Sequence, residues 1–242
     1  MRKLLYLVPI LHMSADMGSM ASSLDETAKA ELGQEVWQKH QGVVSSFWDS
    51  IGQFFDAVNV EGFKVYQDGM VADGTDGLRI IREGISQGSK NYEIIKRLLQ
   101  RGAVLVKTED PVLVKQEYSY IKKIAHSKSP GEKEVWSLRY KVAQDRLLRQ
   151  RDDFIAKRIE ITLGEGATGI LFIGAYHNVL SRIPDDIQVS QVKDMARVRE
   201  YHKTLLSLKK PGQRFLQLVD YLVYPVPGLL SRELGQAGKE RR

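Results

Sequence analysis

Short runs of consecutive apolar residues alternate along the chain with longer stretches in which apolar residues recur every three or four positions. The runs at 4–8, 63–66, 103–106 and 170–173, and a weaker one at 187–192, read as strands buried on both faces. Between the first two, Ser23-Leu24-Asp25-Glu26 has the form of a capping box and predicts a helix running to about Val58. A second helical stretch spans about 76–101, with a break near Gly88 and Gly102 at its end. A third opens at Pro111, a residue tolerated in a helix's first turn, and closes before Ser127. After the loop Ser127-Lys128-Ser129-Pro130-Gly131, the longest helix is expected over about 133–163. Strands alternating with helices predict an α/β fold with a mostly parallel central sheet covered by helices. No low-complexity linker divides the chain, so a single domain is expected over 1–238, followed by a frayed basic tail at 239–242.

Composition narrows the chemistry. The chain has 242 residues, of which 43% are hydrophobic, enough for a packed core. Its 36 Lys and Arg against 30 Asp and Glu give a net charge of +6, which suits an anionic ligand but falls short of a nucleic-acid signature. No nucleic-acid partner is expected. The absence of cysteine excludes disulfides, thiolate zinc sites and a cysteine nucleophile, so a metal would have to sit on His, Asp or Glu. No segment approaches the roughly 18–20 apolar residues of a membrane span. The opening Met1-Arg2-Lys3 and the apolar run after it copy the start of a signal peptide. That run is short, however, carries Pro9 and leads directly into His12 and Asp16. A buried first strand and a cytoplasmic protein are expected instead. The oligomeric state stays open, a homo-oligomer included.

One apparent motif carries nothing. Gly164-Glu165-Gly166-Ala167-Thr168-Gly169 matches G-x-G-x-x-G, but it follows a helix and leads into a strand, the reverse of a dinucleotide fingerprint. Two other segments share a form. Leu5-Tyr6-Leu7-Val8-Pro9-Ile10-Leu11-His12 and Ile170-Leu171-Phe172-Ile173-Gly174-Ala175-Tyr176-His177 each run through four apolar residues, a backbone punctuator, two more residues and a histidine. Each places an imidazole just past the carboxyl end of a strand, where open α/β sheets form their ligand crevice. Either histidine alone also reads as a satisfied, partly buried side chain. Together in one cleft they would be metal ligands or a general acid/base pair.

Asp68 and Glu109 stand in similar places after the second and third strands. Asp110, directly before Pro111, is expected to be a helix N-cap. Arg151 lies four residues from both Leu147 and Ile155, so helical spacing turns it toward the apolar face. A charge there needs an anionic partner such as Glu109, Asp68 or a substrate group, unless its stem packs while its head reaches water. His40, His126 and His202 lie in polar sequence and receive no role. Trp37, Phe47, Trp48, Phe54 and Phe55 read as core.

In their order along the chain, Pro9-Ile10-Leu11-His12, Asp68, Glu109, Arg151-Asp152-Asp153-Phe154-Ile155-Ala156 and Gly174-Ala175-Tyr176-His177 resemble the TraB/Tiki superfamily, which takes in erythromycin esterases and ChaN-type haem-binding proteins. The likeness spans about 4–192 as scattered short motifs. Pro9 stands where that family carries the glycine of its first G-x-x-H element, Asp68 where relatives more often carry Glu, and Asp152 where Asn often follows the arginine. The resemblance implies a hydrolase of peptide or ester bonds. His12, His177, Asp68 and Glu109 would hold a divalent metal (zinc, manganese or iron), with Glu109, Arg151 and His177 catalytic. The substrate would be a small molecule or peptide with an anionic group. The family's diversity leaves two alternatives, a haem- or anionic-ligand-binding protein without catalysis and a metal-free esterase with a histidine base.

Overall fold

The computed structural model describes residues 2–11, 26, 29–30, 32–206 and 212–227. His12, the first three residues of the expected capping box and the 239–242 tail lie outside them. Five strands, β1 (Lys3–Ile10), β2 (Lys64–Gln67), β3 (Val104–Leu105), β4 (Thr168–Gly174) and β5 (Ile187–Gln191), form one all-parallel sheet in the order β3-β2-β4-β1-β5. Seven described helices cover it: α1 (Gln34–Asp56), α2 (Gly74–Ser86), α3 (Lys90–Gln100), α4 (Pro111–Ala125), α5 (Pro130–Thr162), α6 (Met195–Leu206) and α7 (Gln213–Val223). The α/β fold read from the sequence is the one observed.

The strands are apolar throughout because both faces are buried, and the period of two deals their side chains to separate cores. Tyr6, Val8, Ile170, Phe172 and Val65 pack beneath α1, α3, α6 and α7. Leu5, Leu7, Leu171, Ile173 and Tyr66 pack beneath the second half of α5, against Ile155 and Ile159. Pro9 sits in a central strand at no cost to the ladder. β5 pairs with β1 only as far as Leu7↔Gln191, so the side on which Pro9 lacks an N–H is past the end of that pairing.

Helix boundaries follow local chemistry. Gly88, at φ +89°, separates α2 from α3, and the Ser89 side chain restarts the chain by accepting from the Tyr92 N–H. Asp110 caps α4 through a 2.7 Å bond from the Val112 N–H, as expected. α1 is continuous only from Gln34, after Gly33 at φ +84°. β3 is two residues long, shorter than the expected 103–106. The Gln67 N–H beside it turns to the Thr108 hydroxyl (3.1 Å) instead of a backbone carbonyl.

α4 and the first half of α5 form a hairpin. α5 spans the sheet from Arg151 at the carboxyl edge to Thr162, whose hydroxyl meets Tyr66 (2.8 Å) near the other edge. Residues 130–150 therefore rise beyond the carboxyl edge beside α4. Among the described residues no helix is long and apolar enough to cross a membrane.

Candidate metal and catalytic site

Three strand ends and one helix deliver the site. Asp68 is the first residue past β2, and its N–H still bonds the Phe172 carbonyl (2.9 Å), so the sheet holds its backbone. Glu109 lies four residues past β3, its N–H fixed to the Met70 carbonyl (3.0 Å). His177 follows β4, in a turn closed by its own N–H on the Gly174 carbonyl (3.1 Å). Arg151 and its neighbour Asp152 come from the inward face of α5 and are both buried.

Arg151 is the electrostatic hub. Its Nη2 donates to Asp68 Oδ1 and, at 2.5 Å, to Glu109 Oε1, which also accepts from Nε at 3.1 Å. Its Nη1 donates to Glu117 of α4, whose other oxygen accepts from the Tyr140 hydroxyl at 2.7 Å. Burial works against the guanidinium charge, but Asp68, Glu109 and Glu117 outweigh it and hold the Arg151 pKa above its ordinary value. The inward arginine thus takes both anionic partners expected for it and one that was not.

His177 is held from two sides. Its Nδ1 lies 2.6 Å from Asp152 Oδ1, and Asp152 Oδ2 accepts from the Asn178 N–H at 2.9 Å. Its Nε2 faces Asp68 Oδ2 at 3.3 Å. Burial pushes the imidazole pKa down, yet Asp68 and Asp152 more than reverse this and raise it to about 10. Glu109 is fully buried, and burial pushes its carboxyl up to about 7 despite the pull of Arg151. Among the described residues four carboxylates here face the buried Arg151 guanidinium, the His177 imidazole and, 3.8 Å from Asp152, the Arg182 guanidinium; burial raises the Glu109 pKa, and Asp68 and Asp152 raise that of His177.

The same donor set suits a cation. Asp68, Glu109 and His177 each offer a ligand atom within 4.8 Å of the others. Glu109 Oε2 is buried with no hydrogen-bond partner among the described residues, an arrangement that is costly unless a proton or ion meets it. Asp152 on Nδ1 leaves Nε2 to coordinate, the usual carboxylate–histidine support of a metal ligand.

No family model, curated protein or solved structure matches the chain. The site must therefore be judged on its own residues.

Of the residues singled out in the sequence, the structure unites Asp68, Glu109, Arg151 and His177 and does not describe His12. Glu117, Tyr140 and Asp152 escaped sequence reasoning as site members. Asp152 left one signal: as the next residue after an inward arginine, it lies about 100° around the same helix. Glu117 left none, because its neighbours Lys115 and Gln116 belong to an exposed polar face. His40 is buried 2.9 Å from the Tyr201 hydroxyl, and burial lowers its pKa to about 4.

Gly174 has a specific reason to lack a side chain. A Cβ there would stand 3.0 Å from Asp68 Oδ2, which accepts the Gly174 N–H, and 3.4 Å from His177 Cδ2. Gly174→Ala is expected to cost about 1–3 kcal/mol by overpacking and to weaken divalent-metal binding about tenfold or more. Urea denaturation and calorimetric titration with manganese check the two effects. Unchanged metal binding would show that the close approach does not set the site's geometry.

Proposed function

We propose that the chain is a metal-dependent hydrolase of peptide or ester bonds, working at the carboxyl edge of the sheet. The observation that carries this reading is the convergence of Asp68, Glu109 and His177, each offering a ligand atom within 4.8 Å of the others. A divalent metal bound by these residues supplies Lewis acidity and lowers the pKa of water. Asp152 keeps the His177 tautomer and ring orientation. In the metal-free protein Glu109, with a pKa of about 7, holds a proton that a bound dication would displace, and a carboxylate left out of the coordination shell would act as general base. Arg151 clamps Asp68 and Glu109 in place, and its charge offsets negative charge that develops beside them. His12 enters the reading from the sequence alone, as does the proposed kinship with the TraB/Tiki superfamily. The order and residue types of Asp68, Glu109, Arg151 and His177 support that kinship.

The alternatives fare less well on specific grounds. Carboxylates facing His177 suit a hard dication and repel an anion, which weighs against haem and against a simple anionic ligand. In a metal-free esterase, His177 at about 10 would be an acid at neutral pH, so Glu109 would be a better base than His177. The test is hydrolysis of nitrophenyl esters and a fluorogenic peptide mixture by protein loaded in turn with zinc, manganese and iron. Expected is activity that chelation removes and that Glu109→Gln lowers about 10²–10⁴-fold. Failure of all three metals to bind or to support turnover would sink the proposal.

A further inference from the structure

Among the described residues nothing covers the apolar surface of the α4–α5 hairpin. No residue of α4 is buried, and Val112, Leu138 and Val142 are 68%, 63% and 79% exposed. Contiguous apolar groups of this kind mark interaction sites more often than scattered ones do. A groove of about 1010 Å³ runs between the two helices, with Val112, Trp136, Leu138 and Val142 among its lining residues. Its charged lining is Lys115, Lys123, Arg139 and Arg146, with no acid among the lining residues.

The charge is concentrated there as well. Residues 111–150 hold nine Lys and Arg against four Asp and Glu, a net +5, which leaves +1 for the rest of the chain. One of those four acids, Glu117, is already engaged by Arg151 and Tyr140. Trp136 holds two of the lining cations: Lys123 Nζ lies 4.1 Å and the Arg139 guanidinium 4.7 Å from the ring centroid. The indole is thus engaged by cations rather than offered to a stacking base. From Val112 to Lys123 the groove extends about 17 Å, three turns of helix.

We propose that this groove docks an acidic amphipathic helix of about three turns from a partner protein, laid in as a third helix. Its apolar stripe packs on Val112, Leu138 and Val142, and its carboxylates face the four lining cations. A second copy of this chain is disfavoured, since two hairpins at +5 repel. A flat anionic bilayer meets the cations but leaves the groove's volume unfilled. The inference is independent of the hydrolase reading, because no groove residue belongs to that site.

The test is fluorescence anisotropy of the full chain with a labelled helical peptide of about 14 residues. The peptide carries leucines on one face and glutamates on the other, and a matched lysine peptide is the control. Expected is saturable binding of the acidic peptide only. The double variant Lys123→Glu, Arg139→Glu should weaken it about tenfold or more. Val142→Ser, at an exposed position that does not endanger folding, should weaken it severalfold. Absence of saturable binding, or indifference to both variants, overturns the proposal. So does binding only to phosphatidylserine–phosphatidylcholine vesicles, or self-association of the chain that Val142→Ser abolishes.

Discussion

Replacing Arg151 with methionine is expected to destabilise the fold by about 3–5 kcal/mol at neutral pH. The methionine keeps much of the stem's packing, so the loss isolates the charge. Without the guanidinium, Asp68, Glu109 and Glu117 face one another with their shared cation gone, and Glu109 is fully buried. A buried ion pair need not stabilise a protein relative to apolar residues, but breaking one leaves uncompensated charge. The deficit should shrink at low pH, where the orphaned carboxylates take up protons. Adding Glu109→Gln should recover stability at pH 8 and little at pH 5, because without Arg151 the buried Glu109 carboxyl is pushed above its value of about 7 and is charged only at the higher pH. Urea denaturation of the single and double variants at pH 5 and pH 8 measures this. A cost below about 1 kcal/mol, or one independent of pH, would mean that Arg151 is not the cation balancing the site. Lysine would be a poor substitute, since one ammonium cannot match the four bonds that the fork makes to three carboxylates.

That hub also marks the limit of what sequence could tell. Strand runs such as 170–173 are apolar on both faces because helices cover both sides of the sheet, so their identity was local information. Asp68, Glu109 and His177 were legible for a related reason: topology puts residues past strand ends at one edge, whatever the helices do. Arg151 was legible through its period relative to Leu147 and Ile155. Its partners were only half legible. Glu117 reaches it because α4 packs antiparallel to α5 at one register, a tertiary fact with no trace in the composition of α4. The short β3 was hidden for a similar reason, since its ladder ends at a side-chain hydroxyl, Thr108, that is unremarkable in sequence. Whether His12 joins His177 in the crevice rests on the repeated apolar pattern alone. The described residues do establish that the ends of their strands are level, with Ile10 paired to Gly174.

Divalent-metal affinity should rise steeply with pH, and the metal should reverse the pH dependence of stability. In the metal-free protein, His177 is raised from 6.5 to about 10 and Glu109 from 4.5 to about 7, so both bind their protons more tightly folded than unfolded. The stabilisation from His177 is complete below about pH 6.5 and fades as pH rises through about 10. Glu109 adds a penalty that grows from about pH 4.5 to about 7, as its buried carboxyl is forced to ionise. The site's own contribution to metal-free stability should therefore fall with rising pH across this window, opposed by His40 up to about pH 6.5 and by Lys193 above about pH 8, whose burial lowers their pKa values to about 4 and about 8. A dication replaces both protons. Below about pH 7 each unit should raise its affinity up to about a hundredfold as two protons are released, and above that about tenfold as only the His177 proton remains. Titration calorimetry in buffers of different ionisation enthalpy counts those protons directly. Melting curves at pH 6 and pH 8.5, with chelator and with manganese, should diverge as pH rises. Parallel curves, with no proton release on adding metal, would show that the cluster balances its charge with Arg151 and protons alone and has no place for a cation.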